Sequence, residues 1–144
     1  MLHYIVSGDI EGVLLPHVTS PERTDGLWQH TCFEAFVRAP DRYYEFNFSH
    51  STEWAVYRFN GYREGMSAAR VDAPRIETMK QPGQLDVQVT LDLPADARGR
   101  LAISAIIEEL SGDKSYWALG HPPGKADFHH QDGFTLELPA IERP

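Results

Sequence analysis

Leu85-Asp86-Val87-Gln88-Val89-Thr90-Leu91-Asp92-Leu93 alternates apolar and polar residues without a break. A side-chain period of two belongs to a strand with one buried face, so Leu85, Val87, Val89, Leu91 and Leu93 are expected to point inward. Segments 31–38, 43–49, 54–59 and 101–108 are rich in aromatic and β-branched residues and read as strands too. Shorter strands are expected at 2–6, 116–119 and 134–138.

The breaks carry turn chemistry: Pro40-Asp41, Asn60-Gly61, Gln81-Pro82-Gly83, Ser111-Gly112-Asp113 and His121-Pro122-Pro123-Gly124. No segment sustains a 3.6-residue apolar period, and the best helical candidate, 94–100, is barely two turns long. A parallel α/β sheet needs long crossover helices, for which there is no room. The expectation is all-β: a two-sheet antiparallel β-sandwich of jelly-roll or immunoglobulin-like type. At 144 residues it forms a single domain over 1–144, with no repeat or linker.

Charge narrows the partners. The net charge is -8, and the 13 Lys and Arg residues are scattered singly, which argues against nucleic acid. Asp9 and Glu11 interrupt the start where a signal peptide would be apolar, and no uncharged stretch approaches the ~20 residues of a membrane span. A soluble, cytoplasmic protein without membrane contact is expected. The single cysteine, Cys32, permits no internal disulfide and reads as a small buried hydrophobe.

Parity separates the strand faces. In segment 43–49, Tyr44, Phe46 and Phe48 form an apolar set, and Tyr43, Glu45, Asn47 and Ser49 face away from the core. In segment 31–38, Phe33, Ala35 and Val37 oppose Glu34 and Arg38; Arg58 shares parity with Trp54 and Val56, and Glu108 with Ser104. A concave face carrying Glu34, Glu45, Asn47 and Arg58, rimmed by Trp28, Trp54 or Tyr43, has the chemistry of a sugar site. Aromatic faces stack on a pyranose ring, and charged or amide groups hydrogen-bond its hydroxyls. The same pattern suits a solvated face with cross-strand ion pairs.

Asp127-Phe128-His129-His130-Gln131-Asp132 is the densest ligand-capable cluster, and a metal-dependent hydrolase using Asp127, His129 and His130 is the rival class. Adjacent histidines on an extended segment point in opposite directions, which opposes a shared ion. The neighbours Glu108 and Glu109 face opposite ways on a strand and cannot flank one bond. Ser49-His50-Ser51 lacks the surroundings of a nucleophile elbow. No phosphate loop is present.

Segments 27–36, Tyr44-Glu45-Phe46-Asn47-Phe48-Ser49, Trp54-Ala55-Val56-Tyr57-Arg58-Phe59, Tyr62-Arg63, Ser115-Tyr116-Trp117-Ala118-Leu119 and Asp127-Phe128-His129-His130 resemble the bacterial DOMON-like domain proteins over residues 8–138. The resemblance implies a β-sandwich related to family 9 carbohydrate-binding modules and to haem-binding DOMON domains. Members usually carry one more N-terminal strand, which this chain is expected to lack. The family 9 modules clamp a sugar between tryptophans, with a glutamate after the first; Trp28 and Glu34 look like that pair, Arg58 like a further hydrogen-bonding residue, and Trp117, or else Trp54, like the second tryptophan. The haem-binding relatives use Met and His as axial ligands, and Met66 followed by His121, His129 or His130 has that order. The expected function is non-catalytic binding of a carbohydrate or other small molecule without a cofactor, through Trp28, Glu34, Asn47, Arg58, Trp117, Trp54 and Glu108. Haem binding is the alternative.

Overall fold

The computed structural model describes residues 1–138, so 139–144 of the expected domain lie outside the described residues. In chain order the strands are β1 (Leu2–Ser7), β2 (Cys32–Ala39), β3 (Arg42–Phe48), β4 (Trp54–Phe59), β5 (Ser67–Ala68), β6 (Arg75–Gln81), β7 (Gln84–Thr90), β8 (Arg100–Glu108), β9 (Lys114–Ala118) and β10 (Leu136–Glu137). A three-stranded sheet runs β1-β7-β6, and a seven-stranded sheet runs β10-β8-β2-β3-β4-β5, with β9 also on β8. All paired strands are antiparallel. The chain is thus an all-β sandwich of two antiparallel sheets.

The parity of β7 fixes the core. Leu85, Val87 and Val89 are fully buried against Phe33, Ala35, Val37, Phe46, Phe48 and Val56 of the large sheet. Each large side chain removed from water there contributes roughly 1.5–3 kcal/mol. Tyr4 of β1 packs on Phe33, ring centroids 5.1 Å apart, and its hydroxyl donates to the Glu34 carbonyl at 2.6 Å.

Three local expectations need correction. The alternation at 85–93 outlasts its strand: β7 ends at Thr90, opposite Arg75, and Leu91 and Leu93 lie beyond the ladder. β6 was not expected, because Ile76 is its one buried side chain and Arg75, Glu77 and Lys80 mark a charged, solvated edge. Segment 94–100 holds no helix. The Ala97 amide donates to the Pro94 carbonyl, the Arg98 amide reaches across to the Arg38 carbonyl, and Gly99 at φ +75° is left-handed.

The outer face of the large sheet is buried as well. Residues directly opposite in an antiparallel register share a face. Glu34 opposes Asn47 and Ser104, Phe36 opposes Glu45 and Ala102, Glu45 opposes Tyr57, and Tyr43 opposes Phe59. Over these residues folds the segment after β9, which sets Phe134 against Phe36 and Tyr43. A Cβ on Gly120 would come within 2.5 Å of the Asp132 carbonyl oxygen, so that close approach requires glycine. The face is therefore a second core with a polar centre, where an open, solvated sheet surface had been one of two readings.

Candidate functional site

A cavity of about 360 Å³ remains between the outer sheet face and its cover, lined by Trp28, Glu34, Glu45, Phe59, Arg63, Met66, Ile106, Tyr116, Ala126, Phe128 and His129. Strand parity supplies its polar floor. Glu34 and Glu45 stand diagonally on adjacent strands, where side chains lie about 7 Å apart at their bases. Both glutamates are buried. Aromatic walls surround them: Trp28, half-exposed and edge-on to Tyr57 at 5.8 Å, with Tyr116 and Phe128, whose centroids are 6.0 Å apart.

Two carboxyl groups in so dry a place do not both stay ionised at ordinary cost. Burial, and then the negative charge of Glu45, push the Glu34 carboxyl well above the usual carboxylate range, against the weaker pull of a Ser104 hydroxyl at 3.3 Å and the Arg63 charge. Glu34 is thus the carboxyl favoured to keep its proton and to donate a hydrogen bond. Asn47, directly across from Glu34, is fully buried, and neither its amide nitrogen nor its amide oxygen has a partner among the described residues. A buried, unpaired amide is uncommon, and its two free valences lie beside the carboxyl pair.

The cover is pinned at one point. The Asp127 carboxylate accepts hydrogen bonds from the Arg63 guanidinium at 2.6 Å, from the Tyr62 hydroxyl and from the His129 amide at 3.1 Å. Burial alone would raise the Asp127 pKa, but these donors and the Arg63 charge hold it below the ordinary value. Arg63 sits at φ 54°, a left-handed conformation that costs a non-glycine residue of order 1 kcal/mol and places its amide 3.0 Å from the Tyr43 hydroxyl oxygen. His129 Nδ1 lies 2.8 Å from the same oxygen, and its Nε2 lies 3.1 Å from Glu45.

The expected site residues divide. Trp28 and Glu34 wall the cavity, and Asn47 lies beside it. Trp54 is buried in the inter-sheet core opposite Phe48, and Arg58, opposite Tyr44, is exposed on that same inner side of the sheet. Their shared parity opposes that of Tyr57, so neither meets Glu34. Trp117 opposes Ala105, itself opposite Phe33, and is 63% exposed over a separate groove beside β1; Tyr116, one residue earlier, faces the cavity instead. Glu108 is buried on the correct face but at the end of β8, 3.2 Å from His30 and 3.6 Å from Lys114.

Asp127, His129 and His130 turn to three different partners: Arg63, the Glu45–Tyr43 pair, and the Asp132 amide at 3.1 Å. No group of three or more metal-ligating side chains occurs among the described residues. Met66 lines the cavity, whereas His121 stacks near Phe128 at 6.1 Å and is not part of the wall. Both nitrogens of His129, the histidine that lines the cavity with Met66, are already engaged, so the set does not fit an axial haem ligand pair. Arg63, Tyr116, Phe128 and His129 complete the site. Tyr62-Arg63 and Asp127-Phe128 stand out as sequence motifs, but only the folded cover shows that they meet.

No helix among the described residues is long and apolar enough to cross a membrane. Comparison of the chain with protein-family models, curated proteins and solved structures finds no match.

Proposed function

We propose that this protein binds a carbohydrate, a single sugar ring or the end of a glycan, in the cavity under the 119–135 cover. The observation that carries the reading is the buried carboxyl pair of Glu34 and Glu45 set within aromatic walls. A sugar offers adjacent hydroxyls that both donate and accept, plus an apolar ring face, and Trp28, Tyr116 and Phe128 supply surfaces to stack on it. Asn47 supplies further hydrogen-bonding capacity, and Arg63 takes the place expected for Arg58. The volume lies at the small end of ligand pockets and suits one ring better than an extended chain. The likeness to DOMON-like proteins and family 9 modules agrees with this reading through Trp28 and Glu34.

Titration with a panel of monosaccharides and disaccharides, followed by tryptophan fluorescence, tests it. Trp54 is buried in the other core and Trp117 lies over the other groove, so a saturable change should vanish in Trp28→Phe and persist in Trp117→Phe. A response that survives Trp28→Phe, or a flat response to the whole panel, overturns the reading.

A further inference from the structure

The contacts around Glu45 form one connected hydrogen-bonding chain. The Tyr43 oxygen accepts the Arg63 amide hydrogen at 3.0 Å and lies 2.8 Å from His129 Nδ1. With the tyrosine hydroxyl hydrogen directed to Nδ1, the ring hydrogen of His129 lies on Nε2, 3.1 Å from Glu45 and placed to be donated to it. Glu45 is thereby held in place as an acceptor by a chain from Arg63 through Tyr43 and His129. Glu34, diagonal to it and facing the same cavity, keeps its proton. One cavity thus presents a carboxylic acid and an anchored carboxylate to whatever lies between them.

We propose that the cavity interconverts the α and β anomers of a free aldose, with Glu45 as the base and Glu34 as the acid. The proposal rests on the carbohydrate reading and adds chemistry to it. Glu45 takes the hydrogen of the anomeric hydroxyl, the electron pair of that O–H bond forms the C1=O1 carbonyl, the C1–O5 bond breaks, and O5 takes the proton of Glu34. Rotation about C1–C2 presents the other carbonyl face. The reverse steps close the ring: the C5 hydroxyl adds to the carbonyl and returns its proton to Glu34, and Glu45 gives its proton back to O1. No oxidant, metal or water is consumed. O1 and O5 are bonded to the same carbon, so an acid and a base on diagonal strand positions can address both at once. His129 and Tyr43 are positioning residues, since they act through Glu45.

The experiment is proton exchange spectroscopy on glucose and galactose at anomeric equilibrium, in a buffer of low intrinsic catalysis, with binding read in parallel from Trp28 fluorescence. The exchange rate should rise in proportion to protein concentration and saturate with sugar. Glu45→Gln and Glu34→Gln should each lower the protein-dependent rate about 100-fold or more. Tyr43→Phe should lower the turnover rate with little change in half-saturation. Methyl glucoside, which has a methyl group in place of the anomeric hydroxyl hydrogen, should bind without exchanging. Saturable binding with no acceleration overturns this proposal and leaves the binding reading standing. An absence of binding to any sugar overturns both. Acceleration that persists in Glu45→Gln overturns the assignment of the base. Near-ultraviolet circular dichroism shows whether each variant is folded, and the wild-type rate decides independently of the variants.

Discussion

Replacing Glu34 by glutamine should make the protein more stable at neutral pH, with an advantage that grows as pH rises. Glutamine keeps the shape and an oxygen for the Ser104 hydroxyl, and it cannot ionise. In the native protein Glu34 shares its sheet face with Glu45, Cys32 and Ser104 and lies near the Arg63 charge, and burial with the Glu45 charge raises its pKa well above 4.5. In the unfolded chain that constraint is gone, and Glu34 loses its proton near the ordinary value. Between the two values the native state holds one proton more than the unfolded state, so wild-type stability falls as pH rises. One proton corresponds to about 1.4 kcal/mol per pH unit. The favourable contribution is fully present below the ordinary carboxylate value and is lost as pH rises through the raised one. Urea unfolding by far-ultraviolet circular dichroism, at intervals from about pH 5 to about pH 8, should show the wild-type and variant curves separating at roughly that slope. Parallel curves would refute the claim that Glu34 carries the proton of the pair.

Other consequences can be tested separately. Asp127→Asn should release the cover and speed amide exchange across 119–135 more than in β7; equal protection in both proteins would show that the Arg63 contact does not pin it. Acidification should act likewise, because a depressed carboxylate contributes stability above its ordinary pKa that is lost as pH falls through the folded value. Burial, with the nearby charge of Glu45, raises the Cys32 thiol pKa, so Ellman's reagent should react only as the protein unfolds; rapid reaction in the native state would place Cys32 at a surface. Phe46→Ala should cost about 3–5 kcal/mol in urea unfolding, as a cavity between the sheets, and a loss below ~1 kcal/mol would contradict that packing.

Much of the architecture was legible because it depends on local alternation. Leu85, Val87 and Val89 announce β7, and the apolar set Phe33, Ala35 and Val37 announces the inner face of β2. Parity also put Glu34, Glu45 and Asn47 on one face. The same rule puts Arg58 with Trp54 and Val56, away from them, so its place in the expected site rested on the family resemblance and not on parity. Trp117 failed for a different reason: its face depends on the register of β9 against β8, and register is a long-range property that Lys114 to Ala118 do not encode alone. The burial of the outer face was invisible for the same reason. It needs Phe128 and Phe134 to return over β2 and β3, and their hydrophobicity does not say which surface they cover. The polar set looked like a solvent face because nothing in Glu34 or Asn47 reveals a lid above it.

Arg63 belongs to the loop that pins the cover, and its amide is also the first donor in the chain ending at Glu45. The latch and the proton inventory therefore share one residue. Both ends of the chain are tied to the cover, since the Arg63 amide donates to the Tyr43 oxygen and His129, which reaches Glu45, is itself part of the covering segment. A substitution that releases the cover, such as Asp127→Asn, therefore also withdraws the His129 contact from Glu45.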